Sequence, residues 1–80
     1  MHFANLAIEP ELEAERAASL GRAGRRLEVA LAEWRASPTP ETLEEAQTRL
    51  WYLVVQRESI GLRVHRDLYE LYDVPTTWRY

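Results

Sequence analysis

Arg57, Glu58 and His65 are the residues of this chain whose types and spacing could do chemistry. Arg57 falls in the middle of an apolar stripe, with Leu50, Leu53 and Val54 before it and Ile60 and Val64 after it. Glu58 and His65 occupy the strip between that stripe and a second one, and Gln47 joins them further up. A guanidinium set among apolar side chains must be paired, because one uncompensated buried charge costs several kcal/mol. Glu13, Glu28 or the Glu58 of a second copy are the candidate partners. So paired, Arg57 fixes register, as single polar residues do in coiled coils. Without a partner it reaches solvent along its apolar neighbours. The functional alternative is a pocket in which Arg57 binds an anion beside His65 and Glu58. Arg57, Glu58 and His65 are the expected buried polar residues.

Other chemistry is poorly represented. The chain has no cysteine, which excludes disulfides, thiolate metal sites and cysteine nucleophiles. Metal sites in helical bundles use a Glu-x-x-His pair, and the position three before His65 is Leu62. Gly21, Gly24 and Gly61 are isolated, so no phosphate-cradling loop is present. Ser59 has no evident base. The expectation is therefore no catalytic residue, no metal, no cofactor and no enzyme. A small all-α dimeric enzyme or anion-binding protein using Arg57 is one alternative. Arg22, Arg25 and Arg26 form a basic cluster, but Glu15, Glu28 and Glu33 dilute its field, and it reads as a solvated face.

The elements that must carry these residues are helices. Thr39 is a good N-cap and Pro40 a good first helical residue, with Glu41, Glu44 and Glu45 following. Pro10 can open an earlier helix in the same way. The stretch Ser37-Pro38-Thr39-Pro40 is a turn, and Asp73-Val74-Pro75 ends the second helix, since a residue before proline leaves the helical region. Two helices result, about residues 10–36 and 40–72, in one domain spanning 1–80. The fold class is all-α: an antiparallel two-helix hairpin with short N- and C-terminal extensions.

Helix 1 carries one stripe: Leu20, Ala23, Leu27, Leu31 and Trp34. Gly21 and Gly24 beside it suggest close approach of something bulky, with Arg57 the facing residue. Helix 2 carries a first stripe through Leu43, Ala46, Leu50, Leu53, Val54, Ile60, Gly61, Val64, Leu68 and Leu71. Trp51, Val55, Leu62 and Tyr69 form a second. One partner helix covers one stripe. The short ends can fold back, with Phe3, Leu6 and Ile8 at one end and Trp78 and Tyr80 at the other, but the N-terminal residues are too few to cover both the overhang of helix 2 and its second stripe. Trp51, Val55, Leu62 and Tyr69 are therefore the expected interface of a homodimer, giving a four-helix bundle.

The net charge is −3, and all ten basic residues are arginine, mixed with acids along the chain. This argues against nucleic-acid and membrane-surface binding. The longest apolar run, Leu50–Val55, is far short of the ~20 residues of a membrane span, and the N-terminus does not read as a secretory signal. A cytoplasmic protein is expected. One feature points elsewhere. The segment RDLYELYDVPTTWRY (66–80) resembles the start of a helix-turn-helix, which implies a nucleic-acid-binding regulator. Tyr69 stands where such motifs need a small residue, and Asp73 where they have glycine. The competing reading is a helix stop followed by a docked aromatic tail. Finally, QRESIGLR…LYDVP (56–75) resembles a pattern in an uncharacterised proteobacterial family of short α-helical proteins. That resemblance implies an all-α fold and bacterial origin, and brings no activity with it. The overall expectation is a structural or protein-interaction module acting as a homodimer, with a further protein partner left open.

Overall fold

Thr39 and Thr42 explain where the hairpin turns. In the computed structural model, which describes residues 2–80 and side chains from Glu11 onward, the Thr39 hydroxyl accepts the Thr42 N–H (3.1 Å). The Thr42 hydroxyl accepts the Thr39 N–H in return (2.9 Å) and donates to the Ser37 carbonyl (2.9 Å). This reciprocal box satisfies two of the backbone donors orphaned at a helix start. Pro40, at the first position, has no N–H to lose. The turn separates α1, His2–Ala36, from α2, Pro40–Ser59. The short link makes the two antiparallel, and Ser19 reaches Gln56 near the far end of α2 (3.2 Å).

The remaining elements are α3, Arg66–Leu71, and a single 3-10 turn, Thr76–Trp78. The described residues contain no strand. The expected all-helical hairpin is present, with the turn at the expected place. Three expectations differ.

First, helix 1 does not begin at Pro10. The helix runs from His2 through Pro10, which costs α1 the one hydrogen bond that proline cannot donate. The N-terminal residues extend α1 and do not turn back over α2. The covering role expected of Phe3, Leu6 and Ile8 concerns side chains outside the described ones.

Second, helix 2 does not reach residue 72. It stops at Ser59, because Gly61 has φ +93°, a left-handed conformation that glycine adopts without steric cost. The Leu62 N–H donates to the Arg57 carbonyl (2.9 Å) and the Gly61 N–H to the Glu58 carbonyl (3.1 Å). This is a Schellman stop. The same motif ends α3. Asp73 has φ +52°, the Val74 N–H donates to the Tyr69 carbonyl (2.9 Å), and the Asp73 N–H donates to the Glu70 carbonyl (3.3 Å). Arg35 of α1 holds this second stop by donating to the Tyr72 and Asp73 carbonyls (3.0 and 2.8 Å).

Third, the stop at Gly61 sends the last fifteen or so residues back along the hairpin as a third wall. Ala23, Leu27, Ala30 and Leu31 of α1 pack with Ala46, Leu50, Leu53 and Val54 of α2. Leu68, Tyr69 and Val74 close the core, with Leu20, Trp34, Tyr72 and Trp78 at its margin. Ile60, Val64 and Leu71, expected in the core stripe, are exposed instead, Val64 and Leu71 by 76% and 75%. Trp78 packs on Trp34 with ring centroids 4.7 Å apart. The Tyr69 hydroxyl accepts the Tyr80 N–H (2.9 Å), and Arg79 lies over the Tyr69 ring (5.5 Å) while donating to the Val74 carbonyl. The C-terminal segment is thus a docked aromatic tail. Its 3-10 turn of three residues stands where a helix-turn-helix would place its recognition helix.

The two left-handed stops predict opposite responses. Gly61→Ala has open space around its new methyl but a strained φ, and should cost roughly 1–2 kcal/mol. Asp73→Gly relieves a side-chain-bearing residue in the left-handed region and should stabilise by roughly 1 kcal/mol. Urea unfolding followed by circular dichroism measures both, and a change of the same sign in the two variants contradicts this account of the stops.

Candidate functional site

The α2–α3 turn assembles the polar residues singled out in the sequence. Arg57 closes α2, Glu58 follows it, and His65 caps the start of α3. The Arg57 Nε donates to His65 Nδ1 (3.1 Å). Its terminal nitrogen donates to the Val64 carbonyl (3.0 Å) and to the Asp67 carboxylate (3.2 Å). His65 Nε2 contacts Glu58 Oε2 at 3.0 Å. The tautomer follows from these partners. Arginine always carries its Nε proton, so Nδ1 must accept. Neutral His65 then holds its own proton on Nε2 and donates it to Glu58.

Of the three expected buried polar residues, His65 is buried and Arg57 nearly so, with 16% of its side chain exposed. Glu58 is not buried; its side chain is 45% exposed, because only one carboxylate oxygen is drawn toward the histidine. The partner of Arg57 is Asp67, and none of the acids proposed from sequence. Asp67 had the place of a solvent-facing residue on a continuous helix. The break at Gly61 brings it across, and at the start of α3 its charge also suits the helix dipole. The glycine expectation changes too. A methyl at Gly24 would lie 2.7 Å from the Tyr72 hydroxyl, so Tyr72 is the bulky neighbour, and Arg57 is not.

Chemically, the cluster is a latch. Both nitrogens of His65 are engaged, and Arg57 spends its charge on a carboxylate, a ring nitrogen and a carbonyl. Beside it lies an open groove lined by Leu20, Leu53, Leu68 and Tyr72 together with Arg57 and Asp67, whose carboxylate offsets the guanidinium toward an incoming anion. Arg57→Leu should therefore loosen the α2–α3 turn, leave His65 Nδ1 without its donor and cost roughly 1–3 kcal/mol. Urea midpoints measure the loss; a variant as stable as the parent would show that the latch contributes nothing.

The expected interface residues separate. Tyr69 is 5% exposed and belongs to the chain's own core, so it is not open to a second copy. Trp51, Val55 and Leu62 are 48%, 42% and 44% exposed. Trp51 and Val55 share the outer face of α2, where Trp51 packs edge-on against Tyr52 (5.2 Å), itself half exposed. Leu62 lies in the irregular turn beyond α2 and is no longer in line with them.

A third feature was legible only in part. Arg22, Arg25 and Arg26 of α1 share an open groove with Arg49 of α2, together with Val29, Ala30, Glu33 and Glu45. Arg49 is paired with Glu45 (2.6 Å). The α1 cluster is visible in the sequence; that Arg49 joins it depends on the hairpin register. Beyond this groove α1 outruns α2, and residues 11–18 are all exposed.

Among the described residues no group of three acidic, histidine or cysteine side chains is arranged to hold a metal ion, and no helix is long and apolar enough to cross a membrane. No curated protein and no solved structure matches the chain significantly. A family model does, over residues 3–78, which take in α1, α2, the Arg57 latch and the docked tail as one unit. The chain belongs to the family described as "Family of unknown function (DUF6665)".

Proposed function

We propose that the protein is a structural or interaction module that acts as a homodimer. The observation that carries this reading is the length mismatch of the hairpin. α1 has 35 residues and α2 has 20, so the N-terminal part of α1 leaves the core as an arm. The radius of gyration is 15.4 Å, against about 12 Å for a compact chain of this size. The longest dimension, 53 Å, is the length of α1 itself at ~1.5 Å per residue. Most helical stability in a protein comes from packing one face of the helix, so a partner lying against the arm would stabilise it. A second copy of the chain supplies one and makes four long helices of two hairpins.

Light scattering should give twice the 9.4 kDa chain mass at micromolar concentration. A well-folded monomer there overturns the reading. The outer face of α2 offers a different contact, and one substitution separates the two. Trp51 lies on the side of α2 away from the groove beside α1, so Trp51→Glu should leave both mass and helicity unchanged. Loss of the dimer with helicity retained would move the contact to α2.

A further inference from the structure

We infer that the dimer forms by antiparallel pairing of the two α1 arms, each arm lying in the arginine groove of the other copy. This rests on the homodimer reading and names its contact surface.

Charge along α1 is divided. Residues 2–18 hold four glutamates and one arginine, net −3; residues 19–36 hold four arginines and two glutamates, net +2. On a helical wheel, Glu11, Glu15, Arg22 and Arg26 fall within about 60° of one another, so one face of α1 is acidic at one end and basic at the other. All four are exposed, and among the described residues none has an ion-pair partner in its own chain. Glu11 and Glu15 are one turn apart, as are Arg22 and Arg26. Like charges at that spacing repel. The chain holds two strained pairs of opposite sign on a single face, and each pair lacks what the other supplies.

Antiparallel pairing resolves both at once. A two-fold axis between Ala18 and Ser19 sets Glu11 opposite the partner's Arg26 and Glu15 opposite the partner's Arg22. Symmetry repeats both pairs, as an isologous contact requires. The residues at the axis are small, so the helices can approach closely where they cross. Arg25 and Arg49 widen the basic wall, and Arg22, Arg25, Arg26 and Arg49 against Glu33 and Glu45 leave the groove net +2 toward an arm of net −3. Leu12, 42% exposed on the arm, and Val29, 57% exposed in the groove, supply apolar surface on the same side.

The test is a charge swap across two variants of the full chain. R22E/R26E makes the face acidic throughout, and E11R/E15R makes it basic throughout. Each alone should dissociate at least tenfold more readily than the parent, with helicity retained. Mixed one to one, they should form a heterodimer, seen by native mass spectrometry. The parent's dissociation constant should also rise as sodium chloride goes from about 0.05 M to about 0.5 M, since exposed pairs are screened. Two variants that stay dimeric alone, or that fail to associate when mixed, overturn the arm pairing while the homodimer stands. A salt-independent dissociation constant also overturns it. A parent that is monomeric removes the homodimer reading as well.

Discussion

The left-handed backbone at Gly61 sets the direction of everything after it. A side chain there would be strained, and the helix would have reason to continue. Because it ends, Asp67 comes within reach of Arg57, and His65 bridges Arg57 and Glu58. The latch then does for the turn what a covalent closure does elsewhere. Arg57 binds a ring nitrogen, a carbonyl and a carboxylate from three successive parts of the returning chain. A guanidinium suits this because its donors are fixed in a fork, whereas an ammonium would offer a single point charge.

Once turned, the chain uses aromatic surface to stay down. Tyr69 is the pivot. Its ring fills the third side of the core, its hydroxyl takes the Tyr80 amide, and Arg79 covers its face. Trp78 reaches Trp34 near the end of α1, and Arg35 secures the second left-handed stop from the same end. A chain of 80 residues has little core to spend, and here the wall that completes it comes from within. That changes the balance of open surface. What α2 still exposes is a small aromatic patch; what α1 exposes is a long arm with a divided charge.

An exposed arm of this kind is informative because its charges are not arranged for its own chain. Solvated surface helices place opposite charges one turn apart, where they attract. This arm places like charges one turn apart and keeps the opposites on that face at least seven residues away, beyond the one-turn spacing at which pairs form within a helix. A second helix running the other way closes that distance. The groove that would receive that helix is lined by α1 and α2 and by no residue of the docked tail, so the tail and a partner do not compete for it.

Much of the frame follows from local chemistry alone. Thr39-Pro40 stops one helix and starts the next wherever the rest of the chain goes, since the cap bonds are made within four residues. The spacing of Ala23, Leu27 and Leu31 against Leu50, Leu53 and Val54 dictates the hairpin's core faces for the same reason. Arg57, Glu58 and His65 declare themselves by being polar in an apolar pattern. The length of α2 is a different matter. A glycine within a helical pattern costs only ~1 kcal/mol, so periodicity carries on through Gly61 without objection. Whether the helix ends there depends on what the two outcomes bury: the Tyr72 hydroxyl against Gly24, Trp78 against Trp34, Tyr69 under the tail. The first two of those contacts join residues more than forty positions apart. Tertiary packing alone weighs them, and it moves Tyr69 from an expected interface to the core.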